Sequence, residues 1–116
     1  MCSVTKEFLK NTGNITTYDN TCILRKHIIC NDGFCISVQA SKFHYSIPRE
    51  NLDDGEYSHV EVSTSFIAEE NKEYGFTTYL DDFTNLGYYS YGVIGVVPIE
   101  VVDNVISIHG GIKTTA

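Results

Sequence analysis

Only eight of the 116 residues are Lys or Arg, against fifteen Asp and Glu, which leaves a formal charge of −7. A protein that grips nucleic-acid phosphates needs a basic face, so this shortage argues against direct nucleic-acid binding. No apolar run approaches the ~20 residues that a membrane span needs. Residues 1–10 lack the apolar core and small-residue cleavage pattern of a signal peptide. A soluble protein of the cytoplasm, making no membrane contact, is therefore expected, with its four cysteines as reduced thiols. Also missing are a phosphate-cradling Walker loop, a dinucleotide-binding glycine pattern and histidines at paired metal-binding spacing, so no cofactor is expected. There is no repeat of fixed period, no low-complexity tract and no interdomain linker.

What remains is the composition of a folded globule, 42 % hydrophobic and 20 % charged. A chain of this length buries enough surface to fold as one domain, 1–116, without metals or disulfides. The acidic surplus serves solubility, and would also suit a protein that occupies the basic groove of another.

The elements follow from local chemistry. Ser3 caps a short helix over Val4–Asn11, with Phe8 and Leu9 on its apolar side and Gly13 as a left-handed stop. Ile15, Thr16 and Thr17 predict a short strand in 14–18. Residues 21–30 fit a helical face through Ile23, Leu24, His27 and Ile28, but Asn31-Asp32-Gly33 just after them favours a hairpin arm. With Asp32-Gly33 as a two-residue turn, Cys30 opposes Cys35 on one face, while Ile29 pairs with Ile36 and His27 with Val38 on the other.

Alternation then puts Phe34, Ile36, Val38 and Ala40 on a dry face, with Cys35, Ser37, Gln39 and Ser41 on a wet one. A second strand repeats the pattern with Val60, Val62, Thr64 and Phe66 inside. The connection 46–56, with Pro48 and Asp53-Asp54-Gly55, is a turn-rich loop joining the two antiparallel strands. Residues 68–86 form an acidic, aromatic segment. Residues 87–97 predict one more strand, in which Gly92 and Gly95 mark a bulge or a close backbone approach. Pro98, Glu100 and the stripe Val101, Val102, Val105 and Ile106 predict a C-terminal helix. His109 falls in its last turn, Gly110 and Gly111 end it, and Ile112 folds back onto the stripe. The expected fold is α+β: a single small antiparallel sheet packed by a C-terminal helix, with a short N-terminal helix.

Two blocks of this sequence go together. The first is Ser37-Val38-Gln39-Ala40-Ser41, His44-Tyr45, Pro48-Arg49, Tyr57 and Val60-Glu61-Val62. The second is Tyr91-Gly92, Val96-Val97-Pro98, Glu100-Val101-Val102 and Ile108-His109-Gly110-Gly111-Ile112. Together they cover roughly half of the chain, and they resemble small uncharacterised proteins of bacteriophages and mobile elements. The resemblance implies a phage accessory product in the cytoplasm of a bacterial host cell. Small acidic members of that class often act as stoichiometric inhibitors of host machinery or as sponges for nucleotide signals, so binding is expected rather than catalysis.

The expected recognition site gathers His44, Tyr45, Arg49, Tyr57, His59 and Glu61 at one end of the two strands. There the Arg49 fork suits phosphate or carboxylate, a histidine shuttles a proton, and tyrosines offer flat amphipathic surfaces. The partner is a host protein, such as a defence factor, or a small phosphorylated ligand. In a protein inhibitor, Glu69, Glu70, Asp81 and Asp82 would make salt-sensitive contacts.

The alternatives are a small phosphodiesterase or hydrolase using His44 and His59, and a structural phage protein. Cys22, His27, Cys30 and Cys35 include the ligand types that zinc prefers, but their spacing departs from the usual knuckle and buried thiols are expected. An exposed edge strand would make a homo-oligomer plausible.

Overall fold

The computed structural model describes residues 3–12, 23–63, 88–90 and 93–115. The predicted strand in 14–18, Cys22 and the acidic segment 68–86 lie outside them. In chain order the elements are α1 (Val4–Asn11), β1 (Ile28–Cys30), β2 (Cys35–Gln39), β3 (His59–Ser63), β4 (Tyr88–Ser90), β5 (Val93–Pro98), α2 (Ile99–Ile108) and β6 (Ile112–Thr115). The six strands form one sheet in the order β4-β5-β3-β2-β1-β6, antiparallel at every pairing. The α+β fold read from the sequence is this one. Among the described residues, no helix is long and apolar enough to cross a membrane.

α1 begins and α2 ends as local rules require; Gly13, the expected stop of α1, lies outside the described residues. The Ser3 side chain accepts the Lys6 amide at 3.1 Å, and Phe8 and Leu9 are buried. At the end of α2 the Gly111 amide donates to Ile106 O and the Gly110 amide to Ser107 O, with both glycines at positive φ. Ile112 then packs against the core as β6 begins. That strand had no signal in the sequence: it is short, mostly exposed, and exists because β1 offers it an edge.

The hairpin has a different register from the one expected. The Cys30 amide donates to Phe34 O at 2.8 Å, enclosing a three-residue turn, Asn31-Asp32-Gly33, with Gly33 at φ 96°. Ile28 therefore pairs with Ile36, and Ile29 with Cys35. Strand period is two, so the one-residue slip exchanges faces: Ile28 enters the core while Ile29 is only partly buried. Cys30 and Cys35 fall on opposite faces and cannot form the cross-strand pair that a two-residue turn would give.

The turn docks on the end of α2, and that docking selects its length. Asn31 donates its amide to Gly111 O at 3.0 Å and its side chain to Gly110 O at 2.6 Å. Asp32 Oδ2 lies 2.7 Å from His109 Nδ1, and the His109 ring stacks on Phe34 at 4.0 Å. Burial pushes the Asp32 pKa up, but the Phe34 amide and His109 outweigh it and hold the carboxyl below its ordinary value.

The core lies on the face carrying Phe34, Ile36, Val38, Val60, Val62, Ile94 and Val97. It is closed by Phe8 and Leu9 of α1 and by Ile99, Val102, Val105 and Ile106 of α2. Asp103 ties the helices together, accepting the Ser3 hydroxyl and the Thr5 amide, each at 2.9 Å. The opposite face of β2 is not wet as the alternation suggested. Cys35, Ser37, Gln39 and Ser41 are all buried. Arg25 and Gln39 account for part of this: the Gln39 side chain accepts the Arg25 amide and donates to Arg25 O, both at 2.9 Å.

The single strand expected over 87–97 is two strands, β4 and β5, paired from Ser90 opposite Val93 to Tyr88 opposite Gly95. Gly95 does mark both a bulge and a close approach, as expected, and it builds the site.

Candidate recognition face

β3 and β5 pair Val60 with Val97 and Val62 with Ile94. A single residue, Glu61, therefore faces two, Gly95 and Val96, which is the pattern of a β-bulge. The bulge keeps Ile94 and Val97 both in the core. Its cost is Val96 at φ 56°, a conformation that β-branched residues avoid.

The segment after β2 is seated on this bulge through Tyr45. The Tyr45 amide donates to Glu61 Oε2 at 2.9 Å, and its carbonyl accepts the Val96 amide at 3.0 Å. A methyl group on Gly95 would lie 2.9 Å from Tyr45 Cβ, so only glycine leaves room for Tyr45 there. The Arg49 guanidinium stands over the Tyr45 ring, 5.0 Å from its centroid. Among the described residues Arg49 forms no ion pair, so its fork is oriented but unneutralised.

Between Ser41 and Ile47 the alternation of β2 continues in altered form. Ser41, His44 and Ser46 turn inward and are buried, whereas Phe43, Tyr45 and Ile47 turn outward and are 52 %, 57 % and 45 % exposed. The inward residues lock the loop. Ser46 Oγ donates to Ser41 O at 3.2 Å, the Phe43 amide donates to Ser41 Oγ at 3.1 Å, and Ser41 Oγ lies 2.6 Å from His44 Nδ1. Past the loop tip, Ile47 bridges to His59 at the start of β3. The outward apolar residues are held on a fixed base.

Of the six expected site residues, His44, Tyr45, Arg49 and Glu61 are brought together. His59 stands on the same strand face as Glu61, half-buried, with its Nδ1 2.8 Å from Ser58 Oγ. Tyr57 does not belong to the surface. It is wholly buried, its hydroxyl donating to Glu50 O at 2.6 Å and accepting the Leu52 amide at 2.8 Å. The sequence placed it there because aromatics serve surface and core alike; the loop 50–57 needed an internal anchor and took it. Phe43 and Ile47, not among the expected residues, stand on the outward side of the same loop, and their spacing from Tyr45 continues the alternation that was read.

The Ser41–His44 contact has the look of an activated nucleophile, but Ser41 is fully buried and its oxygen also receives the Phe43 amide. It is a packing bond. Cys30 and Cys35 are buried thiols, and burial pushes the Cys30 pKa up to about 11. Among the described residues, no three His, Cys, Asp or Glu side chains converge as a metal site would require.

His44 gives the loop a pH dependence. Burial holds its pKa below the ordinary value; Glu61 pulls it upward, and Arg25 and Arg49 push it down. Below about pH 6.5 the unfolded chain takes up this proton before the folded one does. The stability is fully present above that pH and is lost as pH falls toward the depressed folded value. Urea denaturation between about pH 7.5 and 5 should show the wild-type midpoint dropping more steeply than that of His44→Gln. Parallel curves would refute this role for His44.

An open groove lies elsewhere, between the start of α1 and α2, lined by Ser3, Val4, Ile99, Asp103, Ile106 and Ser107 among others. None of the six expected site residues lines it. In comparison with known proteins, no family model, no curated protein and no solved structure matches this chain.

Proposed function

We propose that this chain is a non-enzymatic binding protein that antagonises a host protein, and that its contact face is the outward side of the loop carrying Phe43, Tyr45, Ile47 and Arg49. The phage or mobile-element origin implied by the resemblance supplies the setting, the cytoplasm of a bacterial host cell. The observation that supports the face is the row of half-exposed Phe43, Tyr45 and Ile47 on a loop whose alternate residues are buried and hydrogen-bonded. A fixed cluster of exposed aromatic and apolar side chains with an arginine beside it has the composition of an interface hot spot. A nucleotide sponge is less well supported: one face of the Tyr45 ring carries Arg49, and Tyr45 is more than half exposed, a projecting surface rather than walls for a base.

The test is quantitative affinity capture from bacterial lysate with wild-type protein and a Phe43→Ser/Tyr45→Ser variant as baits. One host protein retained in stoichiometric amount by the wild type, and at least ten-fold depleted on the variant, is the expected result. Identical capture profiles would remove this face from the function. A nucleotide retained in native mass spectrometry of the wild type would replace the protein partner with a small ligand.

A further inference from the structure

The charge pattern around this face bears on its partner. From Gly33 to Arg49 the chain contains no Asp or Glu, although the whole chain has fifteen. The loop tip carries Lys42 and Arg49 on either side of Phe43, Tyr45 and Ile47, and both cations rest against aromatic rings. Lys42 Nζ is 6.0 Å from the Phe43 centroid, and Arg49 is 5.0 Å from that of Tyr45. Neither makes an ion pair among the described residues. Two carboxylates border the loop tip: Glu61, which is engaged by the Tyr45 amide, and the exposed Glu50, which follows Arg49 in sequence. At physiological ionic strength charges are screened within about 8 Å, so a docking group meets the local sign of the loop rather than the net −7 of the chain.

Size narrows the partner further. Three roughly half-exposed side chains offer on the order of 300 Å² of apolar surface, well below the ~800 Å² per partner of a stable protein pair. A second copy of this chain meeting face to face would be held too weakly by this patch alone. A short linear segment needs no more area than this, and gains specificity from a few anchors.

We infer, building on the binding role proposed above, that the partner presents a short acidic segment with interleaved apolar side chains. Its apolar residues lie along Phe43, Tyr45 and Ile47, and its carboxylates are taken by Arg49 and Lys42. Arg49 is the principal anchor, because stacking on Tyr45 holds its planar fork ready for a bidentate carboxylate contact. Lys42 contributes a mobile charge at the other end.

Two defined peptides test this by NMR titration of the full chain, acetyl-Glu-Phe-Glu-Leu-Glu-amide and its lysine counterpart acetyl-Lys-Phe-Lys-Leu-Lys-amide. The expected result is saturable shifts from the acidic peptide at the amides of Lys42, Phe43, Tyr45, Arg49 and Gly95, with at least five-fold weaker binding by Arg49→Gln. The lysine peptide should bind at least five-fold more weakly than the acidic one. Equal binding of both peptides at these amides would overturn the acidic partner while leaving the docking face in place. Shifts from neither peptide would count against both. Concentration-dependent shifts at the same amides without peptide would give the face to a second copy instead.

Discussion

Replacing Arg25 with alanine is expected to destabilise the protein by about 3–5 kcal/mol, a large share of the 5–15 kcal/mol that holds a domain of this size folded. Arg25 is 2 % exposed. Its Nη1 donates to Ala40 O at 2.6 Å and its Nη2 to Leu9 O at 3.2 Å, so one guanidinium joins the end of β2 to the last turn of α1. Alanine takes a donor from each of these two buried carbonyls, at roughly 1–3 kcal/mol each, and opens a void between α1 and the sheet. Relief of the buried charge offsets part of this. Burial pushes the Arg25 pKa down against the pull of the Tyr57 hydroxyl, and its Nε finds no hydrogen-bond partner among the described residues. Arg25→Lys should recover less than half of the loss, because a single ammonium cannot reproduce the two-armed geometry. Urea denaturation followed by far-ultraviolet circular dichroism reads both variants. A midpoint unchanged in Arg25→Ala would mean that the two carbonyls are satisfied by water and that the arginine is dispensable.

The second large effect is expected at Gly55, in the loop that joins β2 to β3. Gly55 has φ +68°, and a Cβ there would lie 2.7 Å from Lys10 N and 2.9 Å from Lys6 O. Those atoms are helix backbone, which cannot swing aside as a side chain does. Left-handed φ costs an ordinary residue roughly 1–2 kcal/mol, and forcing atoms into a packed contact adds roughly 1–3 kcal/mol. Gly55→Ala is therefore expected to lose about 2–5 kcal/mol, mostly by pushing α1 off the loop. Hydrogen exchange distinguishes this from general loosening: amides of α1 should lose protection before those of β2 and β3. Equal loss in all three would place the strain in the sheet rather than at the helix contact.

These two residues also show what was legible in the chain. Ser3 as a cap, Gly110 and Gly111 as a stop, and the α2 stripe were all readable, because each is decided within one or two helical turns. That His44, Tyr45, Arg49 and Glu61 come together was readable for a similar reason: two strands with clear alternation, joined by a turn-rich loop, bring their ends together. Gly95 was readable as a glycine inside a strand pattern. Arg25 carried no such sign. In sequence it lies in an ambiguous stretch, and nothing local distinguishes a buried arginine from a solvated one.

The hairpin turn failed for a different reason. Asp32-Gly33 is compatible with both a two-residue and a three-residue turn, and the strands alone do not choose between them. The choice is made 77 residues away in sequence, where His109 meets Asp32. Tyr57 was misplaced likewise, since its hydroxyl partners, Glu50 O and Leu52 N, are set by how the loop closes.

Sequence by itself thus determined the α+β class, both helices, the Ser3 cap of α1 and the glycine stop of α2, the dry faces of β2 and β3, and the end of the sheet where His44, Tyr45, Arg49 and Glu61 meet. These rest on short-range preferences and on the period of the hydrophobic pattern. Tertiary structure alone decided the hairpin register, the addition of β6, the burial of both sides of β2 and the seating of Tyr45 on the β3–β5 bulge. Each of these depends on partners far apart in the chain, as in the 100 residues separating Ser3 from Asp103. Such contacts form only where chain closure brings a buried donor to an acceptor that would otherwise stay unpaired.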